Sequence, residues 1–182
     1  MHFYSLNDDI NFPDRWYLGD VINVDNWSLL KFVDTNKTYQ VKIYQSGQQM
    51  DFSQNEAYGV CIVSEKFKRA LAGISDVNFA KAEVVGSEVD TEYYIMSVPS
   101  IVKCIDEERS EFQKFEVNDP VRPDKAGEYR GFFKMVVNRQ ACEGNSVFRV
   151  AGFDIEIIVS SKIKQALEKE NVTGLNFKQV SN

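Results

Sequence analysis

The chain has 182 residues, is 43% hydrophobic and 13% aromatic, and carries a formal charge of −6. That length and apolar content suit one packed core and exclude a disordered chain, while no apolar run approaches the roughly 20 residues of a membrane helix. One histidine, His2, and three widely spaced cysteines, Cys61, Cys104 and Cys142, exclude a disulfide framework, a His-based zinc site and most nucleophile–His chemistry.

In chain order, residues 2–6 read as a strand, followed by a turn at Phe12-Pro13-Asp14 and a strand-like segment over 15–22 with Trp16 and Tyr17 side by side. Segments 27–33 and 39–44 read as a hairpin joined through Asp34-Thr35-Asn36-Lys37, which has the composition of a turn. Residues 58–63 form an apolar run rich in strand formers. Ser64 follows where a helix N-cap belongs, and Phe67, Ala70, Leu71 and Ile74 then fall at i, i+3, i+4, i+7, a single buried stripe. Further strands are expected over 78–85, 91–98 and 101–105, the last two broken at Pro99. Segment 112–117 alternates loosely. Residues 118–128, with Pro120, Pro123 and Gly127 among charges, form the clearest loop and a candidate boundary between lobes 1–117 and 129–182 of one domain. Strands over 129–138, 146–150 and 153–159 precede a last helix and a last strand.

The chain also repeats itself. Val63-Ser64-Glu65-Lys66-Phe67-Lys68-Arg69-Ala70-Leu71 returns as Val159-Ser160-Ser161-Lys162-Ile163-Lys164-Gln165-Ala166-Leu167, displaced by 96 residues, and Asn-Phe follows each copy at Asn78-Phe79 and Asn176-Phe177. Each copy reads as strand, Ser cap, short helix, strand. Two copies are too few for a solenoid and point to a duplicated unit. The fold class is therefore α+β, with mixed or antiparallel sheets and two short helices in the repeated unit.

Recognisable chemistry is sparse. No phosphate-cradling or dinucleotide motif occurs, so no cofactor is expected. Asp154 and Glu156 alternate on one strand, with Phe153, Ile155, Ile157 and Val159 on its other face. Such a pair could hold Mg²⁺ in a metal-dependent nuclease or hydrolase, although no basic residue accompanies it on the strand. The acids Glu83, Glu88, Asp90, Glu92, Asp106, Glu107, Glu108 and Glu111 face only Lys103 and Arg109 over 83–111, so the whole excess charge resides there. Such a surface repels nucleic acid and suits a basic protein partner. Trp16 and Tyr17, adjacent on a strand and so on opposite faces, are the aromatic pair expected to be partly exposed at that interface. With acids at Asp8 and Asp9 in place of a signal peptide's apolar region, a cytoplasmic location is expected.

From Tyr58 onward the sequence resembles the bacterial immunity proteins of polymorphic-toxin systems, in particular the family numbered eleven. The resemblance lies in Tyr58-Gly59 to Leu71, Tyr93 to Ser110, and Phe148 to Phe177, with an FR strand, a VS-capped helix and a closing T-G-L-x-F. The first fifty residues match less clearly. The resemblance implies a non-enzymatic antitoxin that binds and blocks a cognate toxin encoded by an adjacent gene. It carries over no catalytic residue. A secretion-cargo adaptor is the remaining alternative.

Overall fold

The computed structural model describes residues 1–181. Thirteen strands alternate with short helices: β1 (Phe3–Asp8), β2 (Tyr17–Val21), β3 (Thr38–Gln45), β4 (Phe52–Gln54), β5 (Cys61–Ser64), α1 (Glu65–Ala70), β6 (Asn78–Val85), β7 (Tyr93–Ser97), β8 (Ile101–Val102), β9 (Glu111–Lys114), β10 (Tyr129–Lys134), α2 (Arg139–Cys142), β11 (Val147–Val150), β12 (Phe153–Ser160), α3 (Ser161–Lys169) and β13 (Leu175–Gln179). A six-stranded sheet has the order β2-β3-β6-β7-β5-β4, a five-stranded sheet the order β13-β1-β12-β11-β8, and β9 and β10 form a small ribbon. Both large sheets are mixed: β3–β6 and β8–β11 run parallel and the other neighbours antiparallel. This is the α+β arrangement expected.

The sequence repeat is a structural repeat, one copy in each large sheet. In the first copy, β5 and β6 flank β7, which pairs antiparallel with both. In the second, β12 and β13 flank β1 in the same way. The registers correspond: Ser64 faces Tyr93 and Val63 faces Tyr94, as Ser160 faces Phe3 and Val159 faces Tyr4. Phe79 faces Met96, as Phe177 faces Leu6. The first helical amide is satisfied alike, Glu65 N donating to Glu92 O and Ser161 N to His2 O. Lys68 lies over the Tyr94 ring at 3.8 Å, and its counterpart Lys164 over the Tyr4 ring at 5.3 Å. The repeat thus includes a central strand on which the primary sequence offers little likeness beyond one tyrosine.

The two helices pack together between the sheets. Phe67 and Leu71 of the first copy join Ile163 and Leu167 of the second, with Val63, Val159, Phe52 and Met96, in one core. Each fully buried side chain of this size contributes about 2 kcal/mol of transfer free energy. A second core gathers Trp16, Leu29, Leu30, Val41 and Ile95 under the six-stranded sheet, and a third gathers Phe3, Cys104, Cys142 and Phe148 under the five-stranded one. The 118–128 loop connects strands that intermix: β1 and β8, from before it, lie in one sheet with β11, β12 and β13, from after it. Pro99 marks where the chain leaves β7 in one sheet for β8 in the other.

Residues 27–33 do not form the expected strand, and so no hairpin joins them to β3. Ser28–Leu30 is a 3-10 turn instead. The cause is local. The Asp25 carboxylate accepts from Trp27 N at 3.1 Å, and Ser28 Oγ donates to Asp25 O at 2.6 Å. The buried Asn26 amide makes three bonds to the backbone of Val21 and Val24. Such side-chain bonds hold the backbone away from a sheet ladder.

Candidate functional site

The acidic segment divides between two places. Glu83 lies on β6, Glu88 and Asp90 in the β6–β7 turn, and Glu92 just before β7. Glu92 accepts from Lys81 Nζ at 2.8 Å and from Tyr94 OH at 2.9 Å, contacts that hold its carboxyl below the usual range. Gln49 clamps the turn by donating to Glu88 O and accepting from Asp90 N. The side chains of Glu83, Glu88 and Asp90 are exposed and make no ion pair among the described residues. Asp106, Glu107, Glu108 and Glu111 instead surround the β9–β10 ribbon. Asp106 is held by Arg109 at 2.7 Å, while Glu107 accepts from Lys114 at 2.7 Å and Tyr129 OH at 2.5 Å. Lys114 first, then Tyr129, lower the Glu107 carboxyl, and Arg109 lowers that of Asp106. Glu108 and Glu111 stay exposed without an ion pair among the described residues.

Trp16 does not reach the surface. It is fully buried, its indole N–H donating to Ser53 Oγ at 3.0 Å and its ring 5.1 Å from that of Tyr93. The opposite-face rule holds, but it sends Trp16 inward and only Tyr17 outward, so Trp16 cannot touch a partner directly.

Asp154 and Glu156 depart from simple alternation as well. Arg149 pairs with Ile157, but Val150 pairs with Phe153, so Asp154, Ile155 and Glu156 leave the ladder as a bulge. A bulge re-aims side chains, and Ile155, expected on the inner face, is 42% exposed. Asp154 is ion-paired with Lys31, and Glu156 accepts from the Ser5 hydroxyl. Burial pushes the Glu156 carboxyl above its ordinary value, against the Ser5 hydrogen bond. Among the described residues, no three or more His, Cys, Asp or Glu side chains gather as metal ligands.

The bulge is held by Arg149, which is itself fully buried. Its Nη1 donates to Asp154 O at 2.7 Å and Ile155 O at 3.4 Å, and its Nε to Leu30 O at 2.9 Å. A buried guanidinium carries a large desolvation cost, and burial lowers its pKa accordingly. Here it answers backbone carbonyls of two irregular segments and so fixes them to each other. The Lys31–Asp154 ion pair joins the same two segments outside. The result is a ridge of Ile155 and Trp27, the latter 47% exposed with its ring edge-on to Tyr58 at 5.2 Å. A cleft opens on each side, of about 260 Å³ toward Tyr129 and about 460 Å³ toward Tyr17, and both are lined by Trp27 and Ile155. Neither residue stood out in the sequence. The available signal was Arg149, a lone charge in the apolar run Val147-Phe148-Arg149-Val150.

A small two-sheet protein with a fixed aromatic ridge and exposed acids has the character of a binding protein. The sequence matches the Immunity protein family (Imm11) over residues 8–182, and the chain belongs to that family. No curated protein matches it. The motifs that carry the likeness acquire structural meaning. The Arg of the FR strand is Arg149, and the closing T-G sits against the other sheet. Thr173 donates through N and Oγ1 to Asp51 Oδ2 at 2.9 and 3.0 Å, and Gly174, at φ +85°, lies against Phe52 and Met50.

Proposed function

We propose that this chain neutralises a cognate toxin by direct binding, without catalysis of its own, and that the toxin acts inside the cell. Membership of the immunity family carries the proposal. In this reading both proteins are cytoplasmic and come from adjacent genes. The partner is a protein rather than a nucleic acid or a membrane, because unpaired surface carboxylates repel phosphates.

The acids at Glu83, Glu88, Asp90 and Glu92 and those at Asp106, Glu107, Glu108 and Glu111 would steer a basic toxin surface, such as that of a nuclease, into contact, with Tyr17 as a separate aromatic contact. Of these, Glu108 and Glu111 are the cleaner probes, since Glu107 is already committed to Lys114 and Tyr129. Co-expression with the protein of the adjacent gene tests the proposal: rescue of growth together with a stable complex is the expected result. Reversing Glu108 and Glu111 to Lys should then slow association about tenfold and flatten its salt dependence. Co-purification without rescue would instead identify an adaptor.

A further inference from the structure

The ridge of Trp27 and Ile155 separates two clefts of opposite charge. The smaller cleft is lined by Lys31, Arg122, Lys125 and Arg130 against one acid, Asp154. The larger is lined by Asp8, Glu56 and Glu156 and by no lysine or arginine. This basic cleft is notable on a chain of net charge −6. Each of its bases is held by a surface ion pair, Lys31 by Asp154 within the cleft, and Arg122 by Asp124 at 2.7 Å, Lys125 by Glu128 at 3.1 Å and Arg130 by Asp119 at 4.0 Å. Exposed pairs of this kind are worth little and exchange readily for an arriving carboxylate. In the acidic cleft, Asp8 meets buried Arg15 at 3.1 Å, and burial still holds the Asp8 and Glu156 carboxyls above their ordinary values. A cation entering there would meet acids that gain from its charge.

We infer that the ridge and its two clefts form a polar-ended docking groove for a protein segment of the toxin, one that carries acidic side chains on one side of an apolar anchor and basic side chains on the other. This rests on the immunity reading and adds the partner's charge order to it. The apolar anchor covers Trp27 and Ile155. The flanking charges set the direction in which the segment lies, since reversing it would place like charges together on both sides. Arg149 keeps the ridge rigid before binding, which lowers the ordering cost of association.

The test uses the purified full chain and the toxin domain encoded beside it, with dissociation constants from titration calorimetry. Trp27→Ala should weaken binding about 30-fold or more, as for a central aromatic anchor. Glu56→Lys and Lys125→Glu should each weaken it about tenfold. Hydrogen exchange in the complex should show protection at 27–31, 54–59 and 152–156. An unchanged affinity for Trp27→Ala and for Ile155→Lys, both with native melting curves, overturns the groove and leaves the immunity reading standing. A Trp27-dependent dimer of the free chain assigns the groove to a second copy and also overturns the proposal. A wild-type chain that neither binds nor rescues overturns the immunity reading, and this inference with it.

Discussion

The two copies of the repeat share register, helix position and a tyrosine under a lysine, yet they differ at the cap. In the first, Ser64 Oγ accepts from Phe67 N at 3.2 Å and donates to Asp51 Oδ1 at 2.7 Å. In the second, Ser160 is equally buried, but its hydroxyl has no partner among the described residues and makes no cap bond. The same letter in the same place therefore does different physical work. Ser64 is a cap tied into a network, while Ser160 serves as a small side chain in a tight position, its helix held by α3's greater length and by His2 O. Asp51 explains the asymmetry. It accepts from Ser64 and Thr173 and pairs with Lys66 at 2.6 Å, so one carboxylate clasps the first copy's helix to the approach of the second copy's last strand.

The largest break in the comparison should come at the glycines beyond the helices. Gly73 and Gly174 both have positive φ, at +81° and +85°. A Cβ on Gly73 meets nothing, whereas one on Gly174 would lie 2.7 Å from Met50 Cβ and closer still to the Phe52 carbonyl. Gly174→Ala should cost about 3 kcal/mol or more, from backbone strain and overpacking together, and Gly73→Ala about 1 kcal/mol from strain alone. Urea unfolding of the two variants measures the difference, and equal losses would refute the close approach at Gly174.

Asp51 comes next. Asp51→Ala should cost about 2–3 kcal/mol, since it strands donors from both copies. Burial alone would raise the Asp51 carboxyl, but Lys66, Thr173 and Ser64 outweigh it and hold the group below its ordinary 3.8. A depressed acid adds stability above its unfolded value, and that contribution disappears as pH falls through the folded one. Wild type should therefore lose more stability than Asp51→Asn between neutral pH and about pH 3. Parallel acid titrations of the two proteins would contradict this.

The caps give the smallest and most discriminating contrast. Ser64→Ala should lose about 1 kcal/mol, and Ser160→Ala should stay within about 0.5 kcal/mol, because removing an unpaired hydroxyl leaves no donor stranded. Thermal melts of the pair decide it, and a large loss at Ser160 would mean that its hydroxyl is bonded after all.

Much of this architecture was legible in the sequence because the repeat kept its helix stripe and its Asn-Phe pairs. Strand 78–85 was readable to the residue, and Ser64 was readable as a cap. The central strands were harder to see as partners, since β7 follows its unit while β1 precedes its own by most of the chain. The site was less visible. The acids could be counted, but not their division between the β6–β7 turn and the β9–β10 ribbon. Trp16 misled because its environment is set by Ser53 and Tyr93, distant in sequence. Trp27 and Ile155 depend on an Asx-stabilised turn and a bulge, both held by Arg149 from β11, and local periodicity carries no trace of such support.

The placement of β1 has a consequence for the order in which the molecule assembles. The β5-β7-β6 ladder of the first copy closes between residues 61 and 97. The second needs Phe3 beside Ser160 and Tyr4 beside Gln179, so its ladder closes only when segments more than 150 residues apart meet. Closing so long a loop is entropically costly and slows folding. Folding is accordingly expected to be polarised, with amides of β5 and β7 protected early in refolding and those of β1 and β13 last, an order that pulsed hydrogen exchange would reveal or reverse. During synthesis, β1 would wait until β12 and β13 had been made before it found its sheet.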